Sequence, residues 1–297
     1  MWSLFGYWVL GSSALSFFWS GHPDSIVSSL GVTLVFYAPP ILWLLVVLAK
    51  RQIRLSQFLG RLPDTRRWLS WSGLTIGLIC VSLGASWLLW YPLSFVVPEL
   101  VHKLLNMPLL FPEEAEAQKW QFAFFQAFMV TIFVPLVEEV IFRGIIMARW
   151  AACWGPRVGV ILSSLLFGFL HVADPLGATF FGIVMCALYF QTRTLWVPFF
   201  CHALNNGIVC ILDISWFLYE GSTYTSYSVE EFRQETWWIL IALAVGITWG
   251  IIYGRRRLLK WPDQLPEWFP FAGAPRKLEA INESPSPPGI QEGSQSE

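Results

Sequence analysis

The sequence predicts an all-α, polytopic membrane protein, and three observations lead to that prediction. The chain is 55% hydrophobic and only 13% charged, whereas an ordinary soluble domain has about 25% charged residues. Several apolar runs exceed the roughly 18 residues that indicate a transmembrane helix. Lys and Arg concentrate in alternate connecting segments, as expected of a chain that crosses a bilayer repeatedly. No basic patch with interleaved aromatic residues is present, so we expect no nucleic-acid partner.

We predict about eight transmembrane helices. They lie near residues 2–20, 26–49, 69–92, 120–148, 157–173, 175–191, 194–213 and 236–254. The fourth run is longer than a bilayer requires, so we expect it to tilt or to break near Gly144 or Gly155. In the predicted loops on one side of the membrane, the only basic residues are Lys103, Lys119 and Arg233. The positive-inside rule then places both termini in the cytoplasm, which requires an even number of spans.

The same pattern divides the chain into four segments. Residues 1–119 hold three predicted N-terminal spans and an acidic outer loop, and residues 120–212 form a core that carries the polar motifs. Residues 213–261 contain an outer loop and the last span. Residues 262–297 are polar and rich in Ser and Pro, so we predict a disordered cytoplasmic tail.

Two adjacent carboxylates and an arginine interrupt the fourth apolar run. They are Glu138, Glu139 and Arg143. Charges inside a membrane-spanning segment are costly and therefore indicate a functional site. In a helix Glu139 and Arg143 lie one turn apart, within reach of an ion pair, while Glu138 points about 100° away. Glu138 is then a carboxylate without a local partner in a low-dielectric environment, which suits a general base.

Two further spans carry polar side chains. His171 ends the sequence Phe167-Gly-Phe-Leu-His, and His202 lies four residues before Asn206, on the same helical face. Polar side chains at membrane depth must turn away from lipid and contact one another or water. We therefore expect one central polar cavity, lined by Glu138, Glu139, Arg143, His171, His202 and Asn206.

This set contains the groups needed to hydrolyse an amide. Glu138 can take a proton from water, His171 can hold that water or return the proton, and a developing oxyanion can accept hydrogen bonds from His202 and Asn206. Alternatively, Glu138, His171 and His202 form a two-histidine, one-carboxylate ligand set for Zn²⁺, with metal-bound hydroxide as nucleophile. No HExxH motif occurs, so such ligands would come from three helices. The sequence leaves both mechanisms open.

The order and spacing of these motifs resemble a known family. Glu138-Glu139-xxx-Arg143, Phe167-xxx-His171 and His202-xxx-Asn206 are similar to the three motifs of the CPBP (CAAX protease and bacteriocin-processing, or Abi) intramembrane endopeptidases, which include type II CAAX prenyl endopeptidases. The resemblance covers about residues 120–212.

The resemblance implies an all-helical membrane fold and endoproteolysis within or at the edge of the bilayer. The implied partner is a membrane-anchored protein or peptide, which is prenylated in eukaryotic members. The implied cofactor is either Zn²⁺ or none. The implied roles are activation of water by Glu138 and His171, stabilisation of the transition state by His202 and Asn206, and support by Glu139, Arg143 and Phe167.

Two other classes of function compete with this interpretation. Intramembrane Glu and His residues also build the relays of ion-coupled transporters, but transporters usually have repeated halves, and the polar residues here occur only in predicted spans four, five and seven. A non-catalytic bacteriocin-immunity or scaffold protein would keep the fold without the chemistry. The compact, Trp-rich layout favours the bacterial inner (cell) membrane.

Overall fold

The computed structural model describes residues 26–51, 59–64, 66–107, 109–111, 119–220, 226–234, 236–253, 262, 264, 265 and 269. The predicted first span, 2–20, lies outside the described residues, as does nearly all of the predicted tail. Throughout the described ranges the regular structure is helical and contains no strand. The predicted all-α membrane fold is therefore confirmed.

The helices follow the order of the predicted spans. We label them α1 (Ile26–Arg51), α2 (Trp68–Val96), α3 (Pro98–Leu105), α4 (Lys119–Phe128), π1 (Met129–Phe133), α5 (Val134–Glu139), π2 (Val140–Met147), α6 (Ala148–Trp154), α7 (Pro156–Leu170), α8 (Pro175–Thr192), α9 (Trp196–Glu220), α10 (Val229–Gln234) and α11 (Thr236–Tyr253).

Three of these helices are long and apolar enough to cross a bilayer, namely α2, α8 and the Trp196–Tyr219 part of α9. Shorter apolar helical stretches lie in α1, α7 and α11. The chain is therefore an integral membrane protein, and the number of eight spans stays a prediction.

The fourth predicted run is not a uniform α-helix. Two π-helical segments, π1 and π2, flank the short helix α5 that ends at Glu139. The predicted break occurs at Gly155, where φ is 92° and ψ is 159°, a backbone conformation that glycine adopts without a Cβ clash. Gly144 lies inside π2 and does not interrupt it. Since π-helical turns are frequently found at functional sites, the distortion draws attention to the carboxylates between them.

The fifth predicted span, 157–173, extends past the carboxyl-terminal end of the corresponding helix. Helix α7 stops at Leu170, and His171 follows as its C-cap with φ −96° and ψ 71°. Pro175 disfavours helical dihedral angles at the preceding residue, Asp174, whose φ is −141°. The amide of Asp174 instead bonds to the carbonyl of His171 at 2.9 Å. His171 therefore lies at the start of a tight turn and not inside a helix.

Helix α2 packs against α8, α9 and α11. Its contact with α11 depends on close approach, because a Cβ at Gly77 would lie 2.6 Å from the ring of Trp249. On another side, buried Trp71 and Leu74 of α2 share one hydrophobic cluster with Val137 and Phe167. The N-terminal helices and the motif-bearing helices thus form a common core around the candidate site.

Candidate active site

Glu139 and Arg143 form the predicted ion pair. Arg143 Nη1 donates to Glu139 Oε1 at 2.9 Å, and both side chains are buried. The guanidinium of Arg143 also lies over the ring of Phe167, 4.4 Å from its centroid, a favourable cation–π geometry. The charge of Arg143 therefore compensates that of Glu139, one of the two adjacent carboxylates inside the core.

His202 lies between the two carboxylates. Its Nδ1 is 2.8 Å from Glu139 Oε1, and its Nε2 is 3.7 Å from Glu138 Oε2. An ionised carboxylate only accepts hydrogen bonds, so Nδ1 of His202 is the donor to Glu139. In the neutral imidazole Nε2 is then an acceptor that faces Glu138.

His171 has the same arrangement with a different partner. Its Nδ1 is 2.8 Å from the carbonyl oxygen of Phe167, which can only accept, so Nδ1 donates. Its Nε2 is 3.9 Å from Glu138 Oε2. The ring of Phe167 also stacks against the imidazole, with the centroids 4.2 Å apart. Phe167 therefore contacts both Arg143 and His171 and lies in a supporting position between them.

Three acceptor atoms thus converge, and we call them the acceptor triad: Glu138 Oε2, His171 Nε2 and His202 Nε2. Glu138 Oε2 is buried and has no hydrogen-bond partner among the described residues. Buried acceptors are costly unless they meet a donor or a cation. The arrangement is therefore chemically incomplete without a hydrogen-bearing molecule, such as water, or a positive charge between these atoms.

The three atoms of the acceptor triad, one carboxylate oxygen and two imidazole nitrogens, are of the types that bind Zn²⁺ as ligands. However, the separations of 3.7 and 3.9 Å exceed the edge of about 3.4 Å that follows from tetrahedral bonds of about 2.0–2.2 Å. In the part of the chain that the structure describes, no group of three His, Cys, Asp or Glu side chains has the geometry of a metal centre. As placed, the residues lie somewhat farther apart than an ideal tetrahedral Zn²⁺ site requires, and the Zn²⁺ ligand set stays a prediction.

Asn206 lies one turn after His202 on α9 and contacts a different group. Its Nδ2 donates to the carbonyl oxygen of Val130 in π1 at 2.9 Å, and its Oδ1 accepts from Asn205 Nδ2 at 3.1 Å. The amide is therefore held from both ends, while Nδ2 has a second hydrogen to donate. The other predicted site residues lie next to one another in the structure, whereas Asn206 hydrogen-bonds to π1.

Sequence reasoning missed Tyr37 of α1. Its hydroxyl donates to Glu138 Oε1 at 3.2 Å, across 101 positions of the chain. The available signal was weak, since it consisted of one tyrosine shortly before Pro39-Pro40 in an apolar run.

Sequence reasoning also missed Asp174, which caps α8 by accepting from the amide of Gly177 at 2.9 Å. The hydroxyls of Ser82 and Ser86, one turn apart on α2, donate to its two carboxylate oxygens, the second at 2.6 Å. We call Asp174 with these three donors the Asp174 clamp. An Asp before Pro at a helix start is a recognisable signal, but the two serines were not linked to it.

The turn held by the Asp174 clamp is the one that begins with His171. Trp90, one turn beyond Ser86 on α2, donates from Nε1 to the carbonyl oxygen of Ala173 at 2.8 Å in the same turn. One face of α2 therefore fixes the backbone that carries an imidazole of the acceptor triad.

Known proteins resemble the segment that carries this site. Residues 120–208 match the family model of type II CAAX prenyl endopeptidase Rce1-like proteins. The putative membrane peptidase YdiL of Bacillus subtilis (strain 168) is 33% identical over 82 residues, which are 27% of this chain and 34% of YdiL. The membrane-embedded CAAX protease MroQ of Staphylococcus aureus (strain USA300) is 33% identical over 95 residues, which are 29% of this chain and 38% of MroQ.

The chain spans about a third of the length of these curated relatives. No solved structure gives a significant match. The matched residues include the whole acceptor triad and the Glu139–Arg143 pair, and they exclude α1 and α2. The predicted resemblance of the motifs is confirmed, since residues 120–208 match the family model of type II CAAX prenyl endopeptidase Rce1-like proteins.

Proposed function

We propose that this protein is a CAAX-type intramembrane endopeptidase, which hydrolyses a peptide bond with a water molecule activated by Glu138. The acceptor triad carries the proposal. Acceptors that converge without a donor are suited to holding a water molecule, whose two hydrogens can bond to two of the three atoms. The matched family and both relatives support peptide hydrolysis over transport as the chemistry of this site.

In this mechanism Glu138 is the general base. A water molecule lies among the acceptor triad and donates one hydrogen to Glu138 Oε2. As the water oxygen bonds to the scissile carbonyl carbon, its O–H bond breaks and the proton passes to Glu138. When the C–N bond breaks, the leaving nitrogen takes that proton, directly or through His171 Nε2. The histidine is suited to this transfer because its Nδ1 is already fixed on Phe167.

The oxyanion of the tetrahedral intermediate needs fixed donors. Asn206 supplies the second hydrogen of Nδ2, and its amide is held by Val130 and Asn205. His202 can donate from Nε2 only when its imidazole is protonated on both nitrogens, since Nδ1 donates to Glu139. A neutral His202 accepts at Nε2 as part of the acceptor triad, so Asn206 is the donor to the oxyanion in this mechanism.

The exposure of the triad supports an approach of the substrate from the side of His171. The side chain of His171 is 36% exposed, that of Glu138 is 14% exposed, and that of His202 is 5% exposed. A peptide therefore approaches past His171, with His202 at the closed end. We propose a membrane-anchored protein or peptide as substrate, prenylated or plain. Both relatives are bacterial, and we place the protein in the bacterial inner (cell) membrane with both termini cytoplasmic.

We also retain the proposed division of the chain, with residues 120–212 as the catalytic core. The N-terminal segment 1–119 precedes this core, segment 213–261 adds the last span, and residues 262–297 form the tail. Support comes from the matched segment, which ends close to the predicted end of the core.

Cleavage by purified protein tests the proposal. The probes are a peptide with a farnesylated cysteine fourth from its carboxyl end and its unprenylated twin, assayed with the metal content of the protein before and after chelation. We expect cleavage of at least one probe, retained after chelation, and its loss in Glu138→Ala and His171→Ala at unchanged accumulation. Cleavage retained in both variants would contradict the proposal, and cleavage lost on chelation with restoration by Zn²⁺ would replace the mechanism by the metal-dependent one.

A further inference from the structure

Helix α1 reaches the candidate site although it lies outside the matched segment. Among the residues that the structure describes, Tyr37 is the only one outside 120–208 that hydrogen-bonds to a residue of the acceptor triad. The helix that carries Tyr37 is thus in direct contact with the group to which we assign the role of base.

The two oxygens of Glu138 have different environments. Oε1 accepts from the Tyr37 hydroxyl at 3.2 Å, whereas Oε2 has no donor and faces the two imidazoles. The terminal torsion of a glutamate is broad and nearly two-fold, so the side chain alone does not determine which way its carboxylate turns. A donor on one oxygen removes that freedom and leaves the other oxygen at the reacting position.

Among the described residues, no other neighbour of Glu138 provides a donor to Oε1. The titratable side chains that lie against Glu138 there are Tyr37, His171 and His202. Both imidazoles present Nε2 to the other oxygen, Oε2, and their Nδ1 atoms are bonded elsewhere. Tyr37 is therefore the sole hydrogen-bond donor to Glu138 in the described part of the chain.

The ring of Tyr37 is held separately from its hydroxyl. It packs edge-on against Phe133 of π1, with the centroids 6.1 Å apart and the planes at 87°. Phenylalanine at position 37 keeps this contact and loses only the hydroxyl. The packing of α1 and the hydrogen bond to Glu138 can therefore be tested independently.

We infer that Tyr37 is a positioning residue, whose hydroxyl fixes the Glu138 carboxylate with Oε2 turned toward His171 and His202. This inference rests on the proposed function. It makes α1, which precedes the matched segment 120–208, a part of the active site. The matched segment by itself then contains the reacting groups but not the residue that orients Glu138.

The test compares Tyr37→Phe with Tyr91→Phe, which removes a tyrosine hydroxyl from α2. The rates of cleavage of the farnesylated and plain peptides are divided by the amount of folded protein. That amount is measured from the amplitude of thermal unfolding. We expect Tyr37→Phe to lower kcat about tenfold to a hundredfold, the range found for partners that orient metal-binding side chains, with KM within about twofold of the parent. Tyr91→Phe leaves both constants unchanged. A parental kcat in Tyr37→Phe would overturn the inference.

A thermal-stability cycle tests the contact without relying on activity. Tyr37→Phe, Glu138→Ala and the double variant are compared with the parent. If the hydroxyl bonds to Glu138, Tyr37→Phe lowers the melting temperature less in the Glu138→Ala background than in the parent. Additive shifts would overturn the inference even in an active enzyme. Absence of cleavage by the parent protein, with a coupled cycle, would instead overturn the proposed function.

Discussion

Glu138 precedes His171 in the sequence and Asp174 follows it, and the surroundings of these two carboxylates differ. In the Asp174 clamp, both oxygens accept from donors, namely Ser82, Ser86 and the amide of Gly177. In the acceptor triad, Glu138 Oε2 meets only other acceptors. Since a carboxylate oxygen that accepts hydrogen bonds stabilises a fold and a buried oxygen without a donor costs free energy, the comparison supports a structural role for Asp174 and the proposed chemical role for Glu138.

The largest expected effect is the loss of activity in Glu138→Gln. The amide cannot take a proton from water, so kcat should fall about a thousandfold or more, within the range assigned to general bases. The new NH₂ group can donate to the imidazoles, so the melting temperature should stay equal or rise. Measured kcat and thermal unfolding check both parts. A large fall in melting temperature would mean that Glu138 already has its donors, which would remove the contrast with Asp174.

Arg143→Ala should have the largest effect on stability. It leaves Glu139 buried without its cation, a change that costs about 3–5 kcal/mol in other proteins. The free energy of unfolding in detergent and the yield of folded protein measure it. Arg143→Lys is the matched control, because it keeps the charge and loses the planar stacking on Phe167, and we expect an intermediate loss. Wild-type stability in Arg143→Ala would show that Glu139 holds a proton in the folded protein.

Asn206→Ala should lower kcat about a hundredfold to a thousandfold, or about 3 to 4 kcal/mol, if its free N–H binds the oxyanion. KM should change little, since the bond forms in the transition state. Asn205→Ala is the matched control, because Asn205 only orients the Asn206 amide, and its effect should be several times smaller. Equal effects of the two substitutions would indicate that this pair serves the packing of α9 on π1.

Asp174→Asn makes the same acid-to-amide change in the Asp174 clamp and should have the smallest effect. Asparagine caps helices nearly as well as aspartate, but two charge-assisted bonds from Ser82 and Ser86 become neutral ones, which costs about 1–2 kcal/mol of stability. We expect a lower melting temperature and kcat within about tenfold of the parent. Loss of kcat at an unchanged melting temperature would place Asp174 in the chemistry and end the comparison.

The helical motif around Glu139 was predictable because its geometry is local. Residues four apart in a helix lie on one face, so the pairing of Glu139 with Arg143 followed from spacing alone and is confirmed. The apolar run 157–173 predicted a helix that includes His171, which was wrong, because α7 ends at Leu170 and His171 lies in the turn before Asp174 and Pro175. The π-helical segments on either side of α5 left no signal in the apolar pattern.

The pattern predicted that these helices bring their polar side chains together, but not which atoms meet. The role of His202 and Asn206 as oxyanion donors stays a prediction, and the bonds of His202 Nδ1 to Glu139 and of Asn206 to Val130 were not foreseen. Which atoms meet depends on the rotation and height of each helix relative to its neighbours, and an apolar run is compatible with many of these.

The sequence by itself determined the membrane class, the helical architecture and the three motifs, since hydrophobic length and short spacings depend only on neighbouring residues. The tertiary structure alone decided that Tyr37 bonds to Glu138 and that Ser82 and Ser86 hold Asp174. The physical reason is that each of these bonds joins helices about a hundred residues apart, whose relative placement is determined by the packing of the whole core.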